Sequence, residues 1–457
     1  MNMADNDLVS TTSSNGKNSR LGKIFLSFLD TIDNFYDPAA LTLVKQIASS
    51  SPSPIDVEVA FGLLSAWTAT GLTLPKPIPP AHALRFPVDH GQHWNVPVEW
   101  HFLTLSLNLE SGGRVSAVII IFRKAIATTA CAPKRTTDLD RQIFSTSFGV
   151  TVQMPGKKPI HYSFPVVTRA GVEGGVKYSN NPFHLKVGKY SINGSADMFP
   201  LRLHAEGAGD SSAGRPAIEI DVDCSDTNPL FLQGRNGYVG TADATSPSYY
   251  YYSWPNQATT GTVTIDGKSY NVKSGLTWMD HQWGGYPVPS VPELPGWSGW
   301  GWFQFQFDGN RALTLACPQT GGTFPVKGAW GFGNYIDGDT SIFVTTCLTV
   351  SNCTKSTETD AEYPSAWQFS VTSEETGVVE LHVTATTVLD QQALWQGGLS
   401  EYAEAASTAK ASGCVNGEPV TMKGVGYCES VGFEDPSEVL TRCKTWLHSS
   451  LQKFEVD

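Results

Sequence analysis

From about residue 98 onward, the chain consists of short segments in which apolar and polar residues alternate, each bounded by residues typical of turns. Phe303-Gln-Phe-Gln-Phe307 shows the pattern most clearly. Because successive side chains of a strand point to opposite faces, this alternation predicts antiparallel strands with one buried face. Many short strands at this spacing are typical of a sandwich or barrel. The segments are 100–109, 114–122, 145–153, 161–164, 217–224, 261–265, 300–307, 312–316, 342–350, 366–371 and 378–386.

Helical patterns are confined to the two ends of the chain. A first helix is predicted from residues at helical spacing, namely Leu21, Ile24, Phe25, Phe28, Leu29 and Ile32. Further helices are predicted at 38–47, 55–67 and 434–453. The polar tail 1–20 is expected to be disordered, and the proline-rich segment 74–80 is expected to be a linker.

The predicted fold class is mainly β, with two antiparallel β domains behind an N-terminal helical extension. The extension and its linker take residues 21–80. The N-terminal β domain takes residues 81–265, and the C-terminal β domain, with its closing helix, takes residues 266–457. The helical extension could recruit a pathway partner.

Charge and hydropathy exclude several classes of function. The net charge of −12 argues against a nucleic-acid partner, because phosphate binding requires a basic surface. No stretch reaches the ~20 apolar residues of a transmembrane helix, so no integral membrane span is expected. The N-terminus lacks the apolar core of a secretory signal, which favours a cytoplasmic location. The eight cysteines are scattered without metal-binding spacing, and most are expected to be buried thiols.

The segment Trp278-Met-Asp-His-Gln-Trp-Gly-Gly-Tyr286 carries the strongest functional signal. It places Asp280 and His281 among Trp278, Trp283 and Tyr286. Burial among rings raises the pKa of a carboxyl group, because desolvation disfavours the charged form. A neutral acid can donate a proton near pH 7, and aromatic faces can stabilise a nearby cation. The segment therefore predicts a proton-donating site, and the alternative is a core turn in which the rings only pack.

Three further clusters supply candidate site residues. Four consecutive tyrosines, 249–252, place rings on both faces of a strand, and Tyr250 and Tyr252 are expected to line a cavity. A tryptophan-rich segment contributes Trp300 and Trp302, and the segment 86–101 contributes Glu99 and Trp100. His90-x-x-His93 offers two metal ligands, but zinc sites usually need three or four, so no metal is expected. No phosphate-binding, dinucleotide or nucleophile-elbow motif is present in the sequence, and no cofactor is expected.

The ordered set of these clusters resembles the family of carotenoid 1,2-hydratases and related lipocalin-like proteins. That family includes kievitone-hydratase-like enzymes and is related to fungal Diels–Alderases. The resemblance covers roughly residues 84–435. It rests on the motifs Asp89-His-Gly-x-His93, Glu99-Trp100, Tyr251-Tyr-Ser253, Trp278-x-Asp280-His-x-Trp-Gly284, Trp300-x-Trp-Phe303 and Gly426-Tyr-x-Glu429.

The resemblance implies two lipocalin-like (calycin) β domains with a ligand cavity between or within them. It also implies that Asp280 is the acid, since hydratases of this family carry an Asp two residues after an aromatic. Those hydratases also carry a His-x-Trp pair upstream of the acid. At the corresponding position this chain has Tyr251-x-Ser253, which departs from the motif of the carotenoid hydratases.

Three functions follow from the site and the resemblance. The first is acid-assisted hydration or cyclisation at a carbon–carbon double bond of a small apolar natural product, an isoprenoid or polyketide, with Asp280 as proton donor. The second is a pericyclase that folds a polyene, in which Asp280 only anchors the substrate. The third is a non-catalytic carrier of a lipophilic ligand.

Overall fold

The computed structural model describes residues 19–30, 38–66, 84–94, 96–127, 133–234, 236–239, 249–284, 299–319, 327–389, 392–396 and 400–435, together with residues 438, 439, 441, 442 and 445. Predictions for the tail 1–18, the linker 74–80, Tyr286 and two of the cysteines, Cys131 and Cys443, lie outside these residues. Of the predicted closing helix, the five separate positions from 438 to 445 are described, and they are helical.

Three helices precede the β structure: α1 (Arg20–Leu29), α2 (Pro38–Ser49) and α3 (Pro54–Ala66). The Ser19 hydroxyl caps α1 by accepting from the Gly22 N–H at 3.0 Å. The apolar faces of α1, α2 and α3 pack together and against Ile126, Ile143 and Ala170. The predicted helical extension is confirmed, and recruitment of a partner through it stays a prediction.

The β structure forms two antiparallel sheets, which confirms the predicted fold class. The first sheet has 13 strands in the order β4-β3-β2-β1-β13-β12-β9-β8-β7-β6-β5, with β10 and β11 paired to β12. Its strands are β1 (Val98–Leu109), β2 (Arg114–Ala125), β3 (Gln142–Gln153), β4 (Ile160–Ala170), β5 (Val176–Asn180), β6 (Phe183–Val187), β7 (Tyr190–Ser195), β8 (Met198–Gly207), β9 (Ile218–Asp226), β10 (Phe231–Leu232), β11 (Tyr238–Val239), β12 (Tyr249–Ile265) and β13 (Lys268–Gly284).

The second sheet has nine strands in the order β19-β18-β17-β16-β15-β14-β22-β21-β20, and pairing of β19 with β21 closes it into a barrel. Its strands are β14 (Gly299–Phe307), β15 (Arg311–Gln319), β16 (Lys327–Asp337), β17 (Thr340–Lys355), β18 (Glu362–Ser373), β19 (Val379–Thr387), β20 (Ala393–Gln396), β21 (Ser400–Val415) and β22 (Glu418–Val431). Among the described residues, the chain therefore passes from one sheet to the other between β13 and β14.

This transition lies beyond residue 265, where the sequence divides the two β domains. The strand β13 pairs with both β1 and β12, so it is an inner strand of the first sheet. The domain boundaries themselves stay a prediction. The segment around Asp280 is not a turn, because residues 278–284 are the last residues of the 17-residue strand β13.

Each sheet has its own apolar core, and a third apolar cluster lies between the two sheets. The first core contains Leu105, Ile121 and Met279, and the second contains Phe303 and Phe305. The third cluster joins Phe102 and Trp278 of the first sheet to Trp302 and Tyr427 of the second. Because Trp278 donates a hydrogen bond to Asp280, Asp280 also lies between the two sheets.

No helix among the described residues is long and apolar enough to cross a membrane.

Candidate active site

Strand pairing separates the two residues predicted to be catalytic. On β13, Asp280 lies opposite Phe102 and Ser253. His281 lies opposite His101 and Tyr252. Because side chains alternate along a strand, Asp280 points towards the second sheet and His281 points into the core of the first. The expectation that both residues serve one site is therefore wrong, although each stays a candidate by itself.

Asp280 is a buried carboxyl with three hydrogen-bond donors. Its Oδ1 accepts from the Trp278 Nε1–H at 2.7 Å and from the Ser253 hydroxyl, and its Oδ2 accepts from the Tyr251 hydroxyl at 2.6 Å. Burial raises the pKa of Asp280 to about 7, although the three hydrogen bonds favour the charged form. The group can therefore give or take a proton near neutral pH.

Aromatic rings from both sheets surround this carboxyl. The Trp302 ring of β14 lies edge-on to Phe102, with ring centroids 5.0 Å apart, and edge-on to Trp278 at 6.2 Å. Phe231 packs on the other side of Trp278 at 5.9 Å. Trp100 and Trp300 are partly buried at the margin of the same cluster. The structure thus places aromatic rings next to a protonatable acid, and the role of each residue stays a prediction.

Two glutamates on the second sheet also lie at this interface, and neither is among the site residues predicted from the sequence. Glu404 of β21 and Glu429 of β22 are directly paired, and Glu429 also lies opposite Trp302. The Trp300 Nε1–H donates to Glu429 Oε1 at 2.8 Å. Burial and the Asp280 charge raise the pKa of Glu429 to about 7, against hydrogen bonds with Trp300 and Glu404 that lower it. Burial and the charges of Glu429 and Asp280 raise the pKa of Glu404 well above its usual range. The motif Gly426-Tyr-x-Glu429 was the available signal for Glu429, and no local motif marks Glu404.

The opposite face of β13 carries a hydrogen-bonded network around Glu99. His281 Nε2 lies 3.0 Å from Glu99 Oε1, and His93 Nδ1 lies 2.8 Å from the same oxygen. The Arg123 Nε–H donates to Glu99 Oε2 at 3.0 Å. The Tyr252 hydroxyl joins His281 Nδ1 to His90 Nδ1, at 2.9 Å from each.

Charges within this network balance one another. Burial alone would raise the pKa of Glu99, but His281, His93 and the Arg123 charge hold it well below its usual range. Burial would lower the pKa of His93, but hydrogen bonds to Asp89 and Glu99 raise it. Asp89 and Glu99 therefore face the Arg123 guanidinium and an imidazole whose pKa is raised. Burial lowers the pKa of His281, which keeps it neutral and poorly suited to donate a proton.

Three atoms of the network could hold a metal ion, because His93 Nδ1, Glu99 Oε1 and His281 Nε2 lie within 4.8 Å of one another. The sequence suggested His90 and His93 as the ligand pair, whereas His90 binds Tyr252 instead. Arg123 already supplies positive charge to the other Glu99 oxygen. Since Arg123 and His93 already lie against these carboxyls, the network does not fit a divalent metal well.

The structure divides the predicted substrate-binding residues between the two faces. Trp278, Trp100, Trp300 and Trp302 lie on the Asp280 side. Those on the His281 side are Glu99, Tyr250, Tyr252 and Trp283, where Trp283 stacks on His93 with ring centroids 3.9 Å apart.

A cavity of about 570 Å³ lies between the sheets at the far end of the same strands. Asn108, Leu276, Gln306 and Val425 contribute to its wall, and Asp280 does not line it. Leu276 precedes Asp280 by four residues on the same face of β13, which corresponds to about 13 Å along a strand. This cavity and the Asp280 cluster are therefore separate features of one interface.

Comparisons with known proteins agree with this architecture. The chain is similar in fold to an AttH protein from Nitrosomonas europaea, with 22% identity and a TM-score of 0.61 over 79% of this chain and 99% of that chain. It is also similar to kievitone hydratase from Nectria haematococca, with 16% identity and a TM-score of 0.52 over 78% of this chain and 95% of that chain. A weaker likeness links it to CghA, with 11% identity and a TM-score of 0.45 over 79% of this chain and 98% of that chain.

No curated protein sequence matches the chain. The sequence profile described as AttH-like matches residues 77–433, which includes every described strand of both sheets. The match confirms the resemblance to lipocalin-like hydratases that the motifs suggest. The chain belongs to the AttH-like family.

Proposed function

We propose that this protein is an enzyme that hydrates or cyclises a carbon–carbon double bond of a neutral, largely apolar natural product. The observation that carries the proposal is the Asp280 carboxyl, whose pKa is raised to about 7 inside an interface of aromatic rings. Similarity in fold to a protein named as a hydratase supports the same class of reaction.

In the proposed reaction, protonated Asp280 transfers its proton to one alkene carbon and leaves a carbocation on the other. The rings of Trp278 and Trp302, which belong to the apolar cluster around Asp280, stabilise this cation. Water, or a hydroxyl group of the substrate, then adds to the cation and loses a proton. The reaction consumes at most water and returns its proton, so it requires no cofactor.

A pericyclase is the second candidate, because three donors already hold Asp280 and would favour a carboxylate that anchors a polar group. The departure at Tyr251-x-Ser253 falls on two of these donors. In this case the interface accelerates the reaction by holding the substrate in a reactive conformation. Proton transfer is then absent, and the rate does not follow the ionisation of Asp280.

Mass spectrometry of reaction products separates these functions. The purified protein is incubated with kievitone and with a panel of neutral isoprenoid alkenes and polyketide polyenes. A product heavier by one water shows hydration, a new product of unchanged mass shows cyclisation or cycloaddition, and a bound but unaltered compound shows a carrier.

Asp280→Asn is expected to lower the rate by about 10²–10⁴-fold, the usual contribution of general acid catalysis. The wild-type rate should fall as the pH rises through about 7, because only protonated Asp280 is competent. Asp339→Asn, at an exposed turn, is the matched control. Full activity in Asp280→Asn would exclude the acid role, and a rate independent of pH would favour the pericyclase.

A further inference from the structure

Glu404 has no fixed hydrogen-bond donor for either of its carboxyl oxygens among the described residues, and its side chain is 1% exposed. Its neighbour across the β21–β22 ladder is Glu429. Two carboxyl groups can form a hydrogen bond only when one of them carries a proton. Protonated Glu404 donating to ionised Glu429 satisfies this condition, and it agrees with the Trp300 Nε1–H that already donates to Glu429, whereas Glu404 has no such donor.

A second polar group points to a ligand at the same place. Tyr402 is 5% exposed, and its hydroxyl makes no well-formed hydrogen bond among the described residues, although Ser147 lies close enough to influence it. The charges of Glu404 and Glu429 act on this hydroxyl and raise its pKa further. Buried polar groups are nearly always paired, so this hydroxyl and the Glu404 oxygen that does not take part in the carboxyl pair indicate a water or a polar substrate group beside them.

The charge around the glutamate pair differs from that around Glu99. None of the groups that shift the pKa of Asp280, Glu404 or Glu429 is a lysine or arginine among the described residues. Glu99, by contrast, is held by Arg123. Carboxyls without a counter-ion repel anions, so the site suits a neutral substrate and disfavours one with a free carboxylate.

We propose that Glu404 and Glu429 are a proton-sharing pair and that Glu429 is the base that deprotonates the attacking water. This step rests on the proposed hydration at Asp280. Asp280 gives a proton to the alkene, and the lone pair of water forms a C–O bond to the cation. Glu429 takes a proton from the resulting oxonium, which leaves the alcohol. That proton then returns to Asp280, so protons balance over one turnover.

The shared proton can be tested without a substrate. Infrared difference spectra, recorded during a pH titration, follow the carbonyl band of protonated carboxyls, and the band lost in Glu404→Gln identifies Glu404. In Glu429→Gln, Glu404 should ionise at lower pH than in the wild type, because its negative neighbour is gone. Glu418→Gln, at the exposed turn of the same hairpin, should leave the band unchanged. An unaltered Glu404 titration in Glu429→Gln would overturn the pair.

Deuterium exchange separates this inference from the proposed function. The experiment uses an alkene from the panel that the wild type hydrates, and it is run in deuterated water. Because Asp280 then transfers a deuteron, and the cation can lose a proton again, the unreacted alkene that is recovered should contain deuterium. Glu429→Gln should keep this exchange but lose hydration by about 10²-fold or more, as expected for a general base. Glu429→Gln that hydrates at the wild-type rate would refute the base. A wild type that neither exchanges nor hydrates any alkene would refute the proposed function and the base, whereas the infrared result would still decide the proton-sharing pair.

Discussion

At the scale of single residues, two buried carboxyls, Asp280 and Glu99, have pKa values shifted in opposite directions. Asp280 receives only neutral donors, so the cost of burial dominates and its pKa rises to about 7. Glu99 receives the Arg123 guanidinium and two imidazoles, and its pKa falls well below its usual range. A raised pKa permits proton transfer near neutral pH, whereas a lowered one fixes a charge. We therefore assign chemistry to Asp280 and a stabilising role to the Glu99 network.

Removing Glu99 should destabilise the fold strongly. Glu99→Gln leaves the Arg123 guanidinium buried without its partner, and breaking a buried pair in this way typically costs about 3–5 kcal/mol. Asp221→Asn removes one of the two acidic partners of the exposed Arg202 and should change stability little. Urea unfolding of the three proteins at one pH measures both effects. Equal midpoints for the two variants would show that the Glu99 network does not stabilise the protein.

Residue-scale sequence patterns could identify Asp280 and most of its rings, because these lie close together along the chain. They could not identify its contacts with Tyr251 and Ser253, which depend on the register between β12 and β13. Glu404 could not be predicted as a site residue for the same reason, because only strand pairing places it beside Glu429. His281 was grouped with Asp280 because adjacency in sequence was taken for adjacency at one site.

At the scale of elements, strand alternation decides which side chains share a site. Alternating patterns located the segments of β1 and β14 well. The Ala-rich strand β21 was missed, because alanine favours helices and the barrel overrides that preference. The strand β13 is not among the predicted strands, because its last residues are large on both faces and show no polar alternation. Both faces of these last residues are buried: Met279 lies in the core of the first sheet, and Trp278 lies in the cluster between the sheets.

The neighbouring residues Tyr251 and Tyr252 test this alternation directly. Tyr251→Phe removes a hydrogen bond that favours ionised Asp280, so the pKa of Asp280 should rise further. The fall in rate at high pH should therefore move to higher pH. Tyr252→Phe removes the hydroxyl that joins His281 to His90 and should lower stability without moving this limb.

The measurement is a pH–rate profile of each variant with the same alkene, together with its urea midpoint. The outcome that contradicts the assignment is a shift of the high-pH limb in Tyr252→Phe. A limb that moves to lower pH in Tyr251→Phe would contradict it as well, because it would mean that Tyr251 favours the protonated acid.

At the scale of the whole molecule, the proposed function depends on how the two sheets meet. Composition and strand count predicted two β units, and the match to the AttH-like family agrees with that architecture. Their relative placement could not be read from the sequence, because the contacts join residues about 200 positions apart, such as Thr104 and Gln304. This placement brings the Glu404–Glu429 pair next to Asp280 and closes the aromatic cluster around it.

One buried hydrogen bond between the sheets offers a measure of that contact. The Gln304 Nε2–H donates to the Thr104 hydroxyl at 2.8 Å, and both side chains are buried. Thr104→Val leaves the amide without its acceptor, which costs about 1–3 kcal/mol, and Gln304→Met similarly strands the hydroxyl. The double variant removes both partners, and it also removes the Gln304 carbonyl oxygen that lacks a partner in the wild type.

A double-mutant cycle by urea unfolding should therefore be non-additive. The double variant is expected to be less destabilised than the sum of the single variants, by about 0.5–3 kcal/mol, as for residues in direct contact. Thr104→Val combined with Thr345→Val, whose hydroxyl lies next to Thr372 on the second sheet, should be additive within about 0.5 kcal/mol. An additive Thr104–Gln304 cycle would mean that the two sheets are not coupled through this bond. The placement of Glu404 and Glu429 beside Asp280 would then lack this support.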